Sequence, residues 1–135
     1  MTDNPLHLSR HEDRETALTL LYEADMSGDG VAAVVERNRA DEDDYSTQIA
    51  IGVAGDVEQI DATIDEVAED WSVDRMAGID RAILRMGVWE LSSRPEVPTT
   101  AIVAEAVALA NEYSTERSAP FINGILAKLS ETLRS

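Results

Sequence analysis

The apolar residues of this chain recur at helical spacing in several separate segments. The segment 78–91 shows the pattern most fully, because Ile79, Ile83 and Met86 fall on one broad face of a helix. Polar side chains occupy only a narrow strip, so this helix is predicted to be buried over most of its circumference. Pro95 cannot continue a helix, which is therefore predicted to end shortly before it. The sequence thus predicts a central helix against which the remaining chain packs.

Three charged residues of the central helix require partners. Glu90 projects at nearly the same angle as Ile79 and Ile83, and a carboxylate within an apolar face needs a hydrogen-bonded partner or a place at the rim. We therefore expect a structural partner for Glu90. Arg81 and Arg85 stand one turn apart and are expected to meet carboxylates of the same chain, with contact to a partner molecule as the alternative.

The same spacing predicts helices elsewhere, and capping residues indicate where they start. Ser9 and Glu12 form a capping box, while Asp29 and Ser118 are the expected caps of two later helices. Gly124 lacks a side chain and is expected to let another helix approach closely. The predicted helices cover 10–26, 30–38, 45–71, 78–93, 99–113 and 118–129, with a short turn at 73–76.

These segments predict an all-α fold, a single-domain bundle of about seven helices. Residues 1–8 are expected to form a loose N-terminal arm, and residues 9–135 the helical domain. Aromatic residues make up 4% of the sequence and runs that alternate apolar and polar residues are absent, so the sequence predicts no β-sheet. Without cysteine or a long apolar run, we expect no disulfide, no thiolate metal site, no membrane span and a soluble, cytoplasmic protein.

The net charge of −16 is unevenly distributed along the 135 residues. Residues 31–99 carry −10, whereas residues 100–135 carry only −1. Taken alone, this charge disfavours nucleic acid, because affinity for phosphate comes mainly from clustered Lys and Arg. Lys128 is the one lysine beside ten arginines, and such an acid-rich, lysine-poor balance suggests a chain that works at high salt.

No catalytic group, cofactor site or metal site is predicted. Both histidines, His7 and His11, lie in the first eleven residues, and no glycine-rich phosphate loop follows a strand, so an enzyme is not expected. Asp25–Glu36 formally fits a calcium loop. Its seventh to eleventh positions read VAAVV, however, which offers no side-chain oxygen, so a Gly-containing turn before a short helix is the preferred interpretation.

Several segments together resemble the NusB family of transcription antitermination factors. The resemblance covers roughly residues 9–130, nearly the whole chain, and its motifs follow the family's order and spacing. An RNA cytosine methyltransferase family carries a similar N-terminal domain, but we expect no methyltransferase domain in this chain. The motifs are RETALTLLYEAD at 14–25, DRAILRMGVWEL at 80–91, VP at 97–98, EAVALA at 105–110 and FINGIL at 121–126.

The resemblance implies two packed helical subdomains and a role in transcription. It implies that the protein binds boxA-type single-stranded RNA together with the ribosomal small-subunit protein that acts as NusE. This pair would join an antitermination complex on RNA polymerase, notably on ribosomal RNA operons. Neither a cofactor nor a membrane is implied, and a homodimer is left open.

The resemblance also implies two sets of site residues. The RNA surface would begin at the start of the first helix and continue near the start of the last helix. The protein-partner surface would include an aromatic residue of the first helix and the start of the central helix. The implied RNA-binding residues are Arg10, His11, Arg14, Arg117, Ser118 and Phe121, and the implied partner-binding residues are Tyr22, Asp80 and Arg81.

One segment departs from the family pattern. NusB proteins usually begin with an arginine-rich run, whereas this chain reads SRHEDRE, with Glu12 and Asp13 where basic residues are expected. Fewer phosphate contacts would weaken RNA binding and flatten its salt dependence. We therefore expect the ribosomal-protein partner to complete RNA binding; the alternative is a divergent protein-interaction module that no longer binds RNA.

Overall fold

In the part of the chain that the structure describes, the fold consists of seven α-helices and one short 3-10 turn. The structure, a computed structural model, describes the backbone of residues 5–69 and 71–134 and the side chains of residues 10–69 and 71–134. No strand occurs in these ranges, which confirms the all-α prediction. The helices are α1 (Pro5–Ser27), α2 (Val31–Arg37), α3 (Tyr45–Gly55), α4 (Val57–Val67), α5 (Gly78–Ser93), α6 (Thr99–Tyr113) and α7 (Ser118–Leu133), and the 3-10 turn is Val73–Arg75.

The central position belongs to α5, as predicted. This helix packs against five others, namely α1, α3, α4, α6 and α7. Helices α1, α2 and α3 also pack among themselves, as do α6 and α7, so α5 joins two helical subdomains. All six residues from Met86 to Leu91 are buried, which explains why polar side chains on α5 are so few.

The end of α5 is held by a residue far along the chain. The guanidinium of Arg134 donates to the main-chain oxygens of Glu90, Leu91 and Arg94 at 3.2, 3.0 and 2.8 Å. It also reaches the carbonyl of Val97 at 2.6 Å. A cation at a helix C-terminus satisfies carbonyls that have no partner within the helix and interacts favourably with the helix dipole. Arg134 thus supplies the C-terminal cap of the central helix.

The start of α1 differs from the prediction. The helix begins at Pro5, so Ser9 lies inside it and the predicted capping box is wrong. Proline suits the first helical position because its missing N–H would have no partner there. Residues 5–8 of the predicted arm therefore belong to α1, and residues 1–4 lie outside the described residues.

The long helix predicted from Tyr45 to Trp71 is two helices and an irregular segment. The break falls at Asp56, where the backbone turns to φ −115° and ψ 16°. The apolar spacing continues across the break, and Val53 and Ile60 on its two sides are both buried. Trp71 lies beyond the end of α4 and is 53% exposed, so the predicted end of this helix is wrong.

Two of the predicted caps are also wrong. The residues at the N-cap positions of α2 and α7 are Gly30 and Arg117, and neither makes a side-chain capping bond. The Asp29 carboxylate instead accepts a hydrogen bond from Arg37 at 3.0 Å. The Ser118 hydroxyl donates to Asp80 at 2.9 Å and is therefore occupied by another helix.

Glycine permits close helix packing, but at positions other than the predicted one. Gly124 is exposed with open space around it. At Gly87, by contrast, a Cβ atom would lie 2.8 Å from a methyl group of Leu126 on α7. At Gly52 on α3, a Cβ atom would overlap the indole of Trp89. These two glycines let α7 and α3 approach α5 closely.

None of the helices in the described ranges has both the length and the apolarity to cross a bilayer.

Gly52→Ala is expected to destabilise the fold by about 1–3 kcal/mol, since the added methyl group forces the Trp89 ring or the backbone to move. Urea unfolding measures this change. Gly55→Ala in the same helix is the control, because a Cβ there meets nothing within 4 Å. It should be neutral or stabilising by up to about 1 kcal/mol. Equal losses from both substitutions would contradict the close packing of α3 on α5.

Candidate nucleic-acid and protein interface

A buried ion pair fixes the first helix against the central one. Arg14 donates through Nε to Oε1 of Glu90 at 2.7 Å and through Nη2 to Oε2 at 2.8 Å. The phenol of Tyr45 on α3 donates to the same Oε2 at 2.7 Å. The Glu90 side chain is 2% exposed, so the expected structural partner is confirmed and is bidentate.

This arrangement gives Arg14 a structural position. Only 5% of the residue is exposed, and its guanidinium is paired with Glu90. Its Nη1 also lies 3.8 Å from Oε1 of Glu105. The structure thus places Arg14, one of the implied RNA-binding residues, beneath the surface in a structural ion pair.

Arg10, one turn earlier on α1, lies at the surface over an aromatic ring. Its guanidinium carbon is 4.2 Å from the centroid of the Tyr45 ring, within cation–π distance. Burial, and then the charge of Asp44, raise the pKa of the nearby Asp13 carboxyl. A polar cleft of about 520 Å³ opens here, lined by Arg10, Asp13, Asp43, Asp44, Tyr45, Gln48, Arg94 and Glu96.

His11 lies among carboxylates on the neighbouring side of α1. Its Nδ1 is 2.8 Å from Oε1 of Glu105, and this hydrogen bond raises the pKa of the imidazole. The potential ligand atoms of His11, Glu15 and Glu112 lie within 4.8 Å of one another, so these three could hold a metal ion. The acids around His11 favour its cationic form.

The remaining implied RNA residues lie at the start of α7. Arg117 is exposed, Phe121 is half-buried, and Ser118 is buried with its hydroxyl on Asp80. A cleft of about 390 Å³ runs between this end of α7 and the start of α5. Its lining comprises Trp71, Arg75, Met76, Ala77, Asp80, Thr115, Arg117, Ser118 and Phe121.

Asp80 connects the two implied surfaces. One of its carboxylate oxygens accepts from Ser114 at 2.6 Å and the other from Ser118 at 2.9 Å. The residue implied to bind a protein partner therefore touches a residue implied to bind RNA. The two surfaces meet where α5 and α7 begin.

The other implied partner residues surround the same end of α5. Arg81 donates to Asp25 at 2.7 Å and, more weakly, to the carbonyls of Val73 and Met76 at 3.3 Å. A Cβ at Gly78 would be 3.2 Å from the Tyr22 ring, so that ring packs directly against the helix start. Tyr22, Asp80 and Arg81 thus form one local group.

The expectation that the arginines of α5 meet carboxylates is confirmed. Arg85 forms a bidentate pair with Asp61 on α4, at 2.8 and 2.7 Å, and Arg81 pairs with Asp25. The pairing also bears on the calcium hypothesis. Asp25 and Asp29, two oxygen donors of the formal loop, are engaged by Arg81 and Arg37, so the structure favours the interpretation of a turn.

Sequence reasoning missed three residues of these sites. Tyr45 was placed only as the start of a helix, although it touches both Glu90 and Arg10. Trp71 was placed only at the end of a predicted helix, and Arg75 in a short turn, yet both line the cleft beside Arg117. The sequence did indicate that Trp71 lies outside the helix, because an acidic segment precedes it and a turn follows it, with no further apolar residue at helical spacing.

Comparison with known proteins identifies the family. The model of the NusB family matches residues 11–131, and the chain therefore belongs to the NusB family. A relative from Beutenbergia cavernae, a transcription antitermination protein NusB, is 44% identical over an alignment of 135 positions. The alignment covers 90% of this chain and 88% of the relative.

Solved structures agree on the fold. NusB from T. maritima superposes with a TM-score of 0.83 at 24% identity, covering 97% of this chain and 93% of that one. A complex of the antitermination factors NusB and NusE with double-stranded RNA contains a chain that matches with a TM-score of 0.73 at 28% identity, covering 91% and 96%. These matches confirm the helical architecture.

Glu90→Gln is expected to lower the free energy of unfolding by about 3–5 kcal/mol, because it leaves the buried Arg14 cation without a counter-charge. Denaturant unfolding measures the loss. Asp61→Asn is the matched control, since it weakens another bidentate pair between α5 and a neighbouring helix, whose side chains are 20% and 26% exposed. It should cost about 1 kcal/mol or less. Similar losses in both variants would show that burial does not distinguish the two pairs.

Proposed function

We propose that this protein is a transcription antitermination factor that binds boxA-type RNA together with the ribosomal small-subunit protein that acts as NusE. In this role it joins the antitermination complex on RNA polymerase and promotes processive transcription of ribosomal RNA operons. The observation that carries the proposal is the family match over residues 11–131. The 44% identity to an antitermination protein supports it.

The proposed RNA surface consists of two parts, in which Arg117 is exposed and the other residues are half-buried. Arg10 and His11 form the part on α1, and Arg117 and Phe121 form the part at the start of α7. Aromatic and guanidinium faces suit unpaired bases, which proteins recognise by stacking as well as by phosphate contacts. Ser118 acts by shaping this end of α7 through Asp80, and Arg14 acts by holding α1 in place.

The proposed partner surface is the group formed by Tyr22, Asp80 and Arg81 at the start of α5. The hydrogen bond from Ser118 to Asp80 makes the partner surface continuous with the RNA surface, so the bound protein partner lies beside the bound RNA. The partner would then supply positive charge next to RNA that this acidic chain holds weakly. The role is binding rather than catalysis, and it is carried out in the cytoplasm.

Fluorescence anisotropy of a labelled boxA-type RNA, with and without the ribosomal protein, tests the proposal. The partner should strengthen RNA binding by about tenfold or more, because it adds cationic contacts. For the protein alone, three phosphate contacts from Arg10, His11 and Arg117 predict that the logarithm of the binding constant falls with the logarithm of the salt concentration with a slope of about −2. A duplex form of the same RNA distinguishes single-strand from double-strand recognition.

Tyr22→Ala is the control in this experiment. It should abolish the enhancement by the partner while leaving the weak binding by the protein alone unchanged. Absence of RNA binding at every salt concentration, with partner association intact, would overturn the proposal and favour a protein-interaction module on the same scaffold.

Reversing the charge of Glu12 and Asp13 to arginine should strengthen RNA binding. Two added phosphate contacts would make the salt slope steeper by about 1.4, and affinity at low salt should rise by about tenfold or more. Glu58→Arg with Glu66→Arg is the matched control, because it changes the net charge equally on the exposed side of α4. An equal rise in both variants would mean that the start of α1 is not the RNA surface.

A further inference from the structure

Arg10 is held in an unusual way for a half-buried arginine of an acidic protein. Asp13 and Asp44 line the same cleft, yet within the described side chains Arg10 makes no ion pair. Its guanidinium lies instead over the Tyr45 ring, with Nε shielded from solvent and without a hydrogen-bond partner in that part of the chain. The ring, rather than a carboxylate, determines where this cation lies.

The Tyr45 ring is itself held in place by a hydrogen bond from its hydroxyl. Its hydroxyl donates to Oε2 of Glu90 at 2.7 Å, and that carboxylate is fully engaged with Arg14. Arg10 and Arg14 are one turn apart on α1, so they project from the same side of the helix. Both arginines therefore converge on the Tyr45–Glu90 pair, one over the ring and the other against the carboxylate.

Because Nε of Arg10 is shielded from solvent, its two Nη groups are the donors that remain for a ligand. They can donate to a phosphate or to a base, whereas a bidentate pair with a carboxylate already uses two of the five N–H donors of a guanidinium. Stacking also restricts a side chain that would otherwise lose rotamer freedom when a ligand binds. The arrangement thus prepares Arg10 for an anionic ligand despite the acids around it.

We propose that Tyr45 is a positioning residue for RNA: anchored by the buried Arg14–Glu90 pair, its ring holds Arg10 in the orientation that contacts RNA. This inference rests on the proposed function and adds to it a residue that contacts no RNA itself. It also assigns a purpose to placing an aromatic ring, rather than an aliphatic side chain, at the start of α3.

RNA titrations of the complex with the ribosomal protein test the inference through three variants. Tyr45→Leu removes the ring and should weaken boxA-type RNA binding by about three- to fivefold. Tyr45→Phe keeps the ring but loses the bond to Glu90, so it should lower stability while RNA affinity stays within about twofold of the unmodified protein. In an Arg10→Ala background, Tyr45→Leu should have no further effect on affinity.

Two controls separate positioning from general damage. Arg37→Ala removes one exposed cation distant from the site and should leave RNA affinity unchanged. The Nε–H resonance of Arg10 in the free protein should be shifted upfield by the ring current in the unmodified protein and in Tyr45→Phe, and should lose this shift in Tyr45→Leu.

The outcomes distinguish this inference from the function on which it rests. If the unmodified complex binds RNA but Tyr45→Leu binds equally well, or if the losses from Tyr45→Leu and Arg10→Ala simply add, the positioning role is wrong and the proposed function stands. If the unmodified complex binds no RNA, the proposed function itself fails. An unshifted Arg10 resonance in the unmodified protein would contradict the stacking from which the inference starts.

Discussion

The buried ion pair between Arg14 and Glu90 is the interaction on which the arrangement of this protein depends. It joins α1 to α5, and the Tyr45 hydroxyl adds α3 to the same carboxylate. Two charges lose their hydration here, and this cost is offset only because both guanidinium contacts and the phenol are in place. The position of α1, and with it the orientation of its exposed residues, follows from this one contact.

The arginines of this acidic chain fall into two groups, those paired with carboxylates and those without such a pair. Arg14, Arg37, Arg81 and Arg85 are each taken up by carboxylates of the chain. In the described side chains Arg10 and Arg117 make no such pair, and neither do Arg39, Arg75, Arg94 and Arg134. Family resemblance assigns only the first two to RNA. The proposed partner surface lies next to Arg117, because Asp80 accepts a hydrogen bond from the adjacent Ser118.

Sequence reasoning was most successful where local rules decide the structure. The bounds of α5 follow from its apolar spacing and Pro95, and a partner for Glu90 follows from its buried position. That this partner is Arg14 could not be predicted, because periodicity contains no information on which residues 76 positions apart meet. The break at Asp56 was missed because α3 and α4 face the same core, so the apolar spacing continues through it.

The same limit applies to the site. Resemblance named Asp80 and Ser118 for different ligands, and only the packing of α5 on α7 shows that they share a hydrogen bond. It also named Arg14 as an RNA contact, since a motif specifies a residue type but not its burial. Likewise, Gly124 looked suited to close packing, but whether a helix lies opposite a glycine depends on the tertiary arrangement, which selects Gly52 and Gly87 instead.

The cap that Arg134 places on α5 has a consequence for synthesis of the chain. Residue 90 is held through its side chain by Arg14 and through its main-chain oxygen by Arg134. A ribosome makes these contacts available in order, N-terminal partner first, because domains emerge progressively during translation. The central helix therefore acquires its full set of partners only when residue 134 has left the exit tunnel, and a nascent chain stalled before that point lacks the cap at the end of α5.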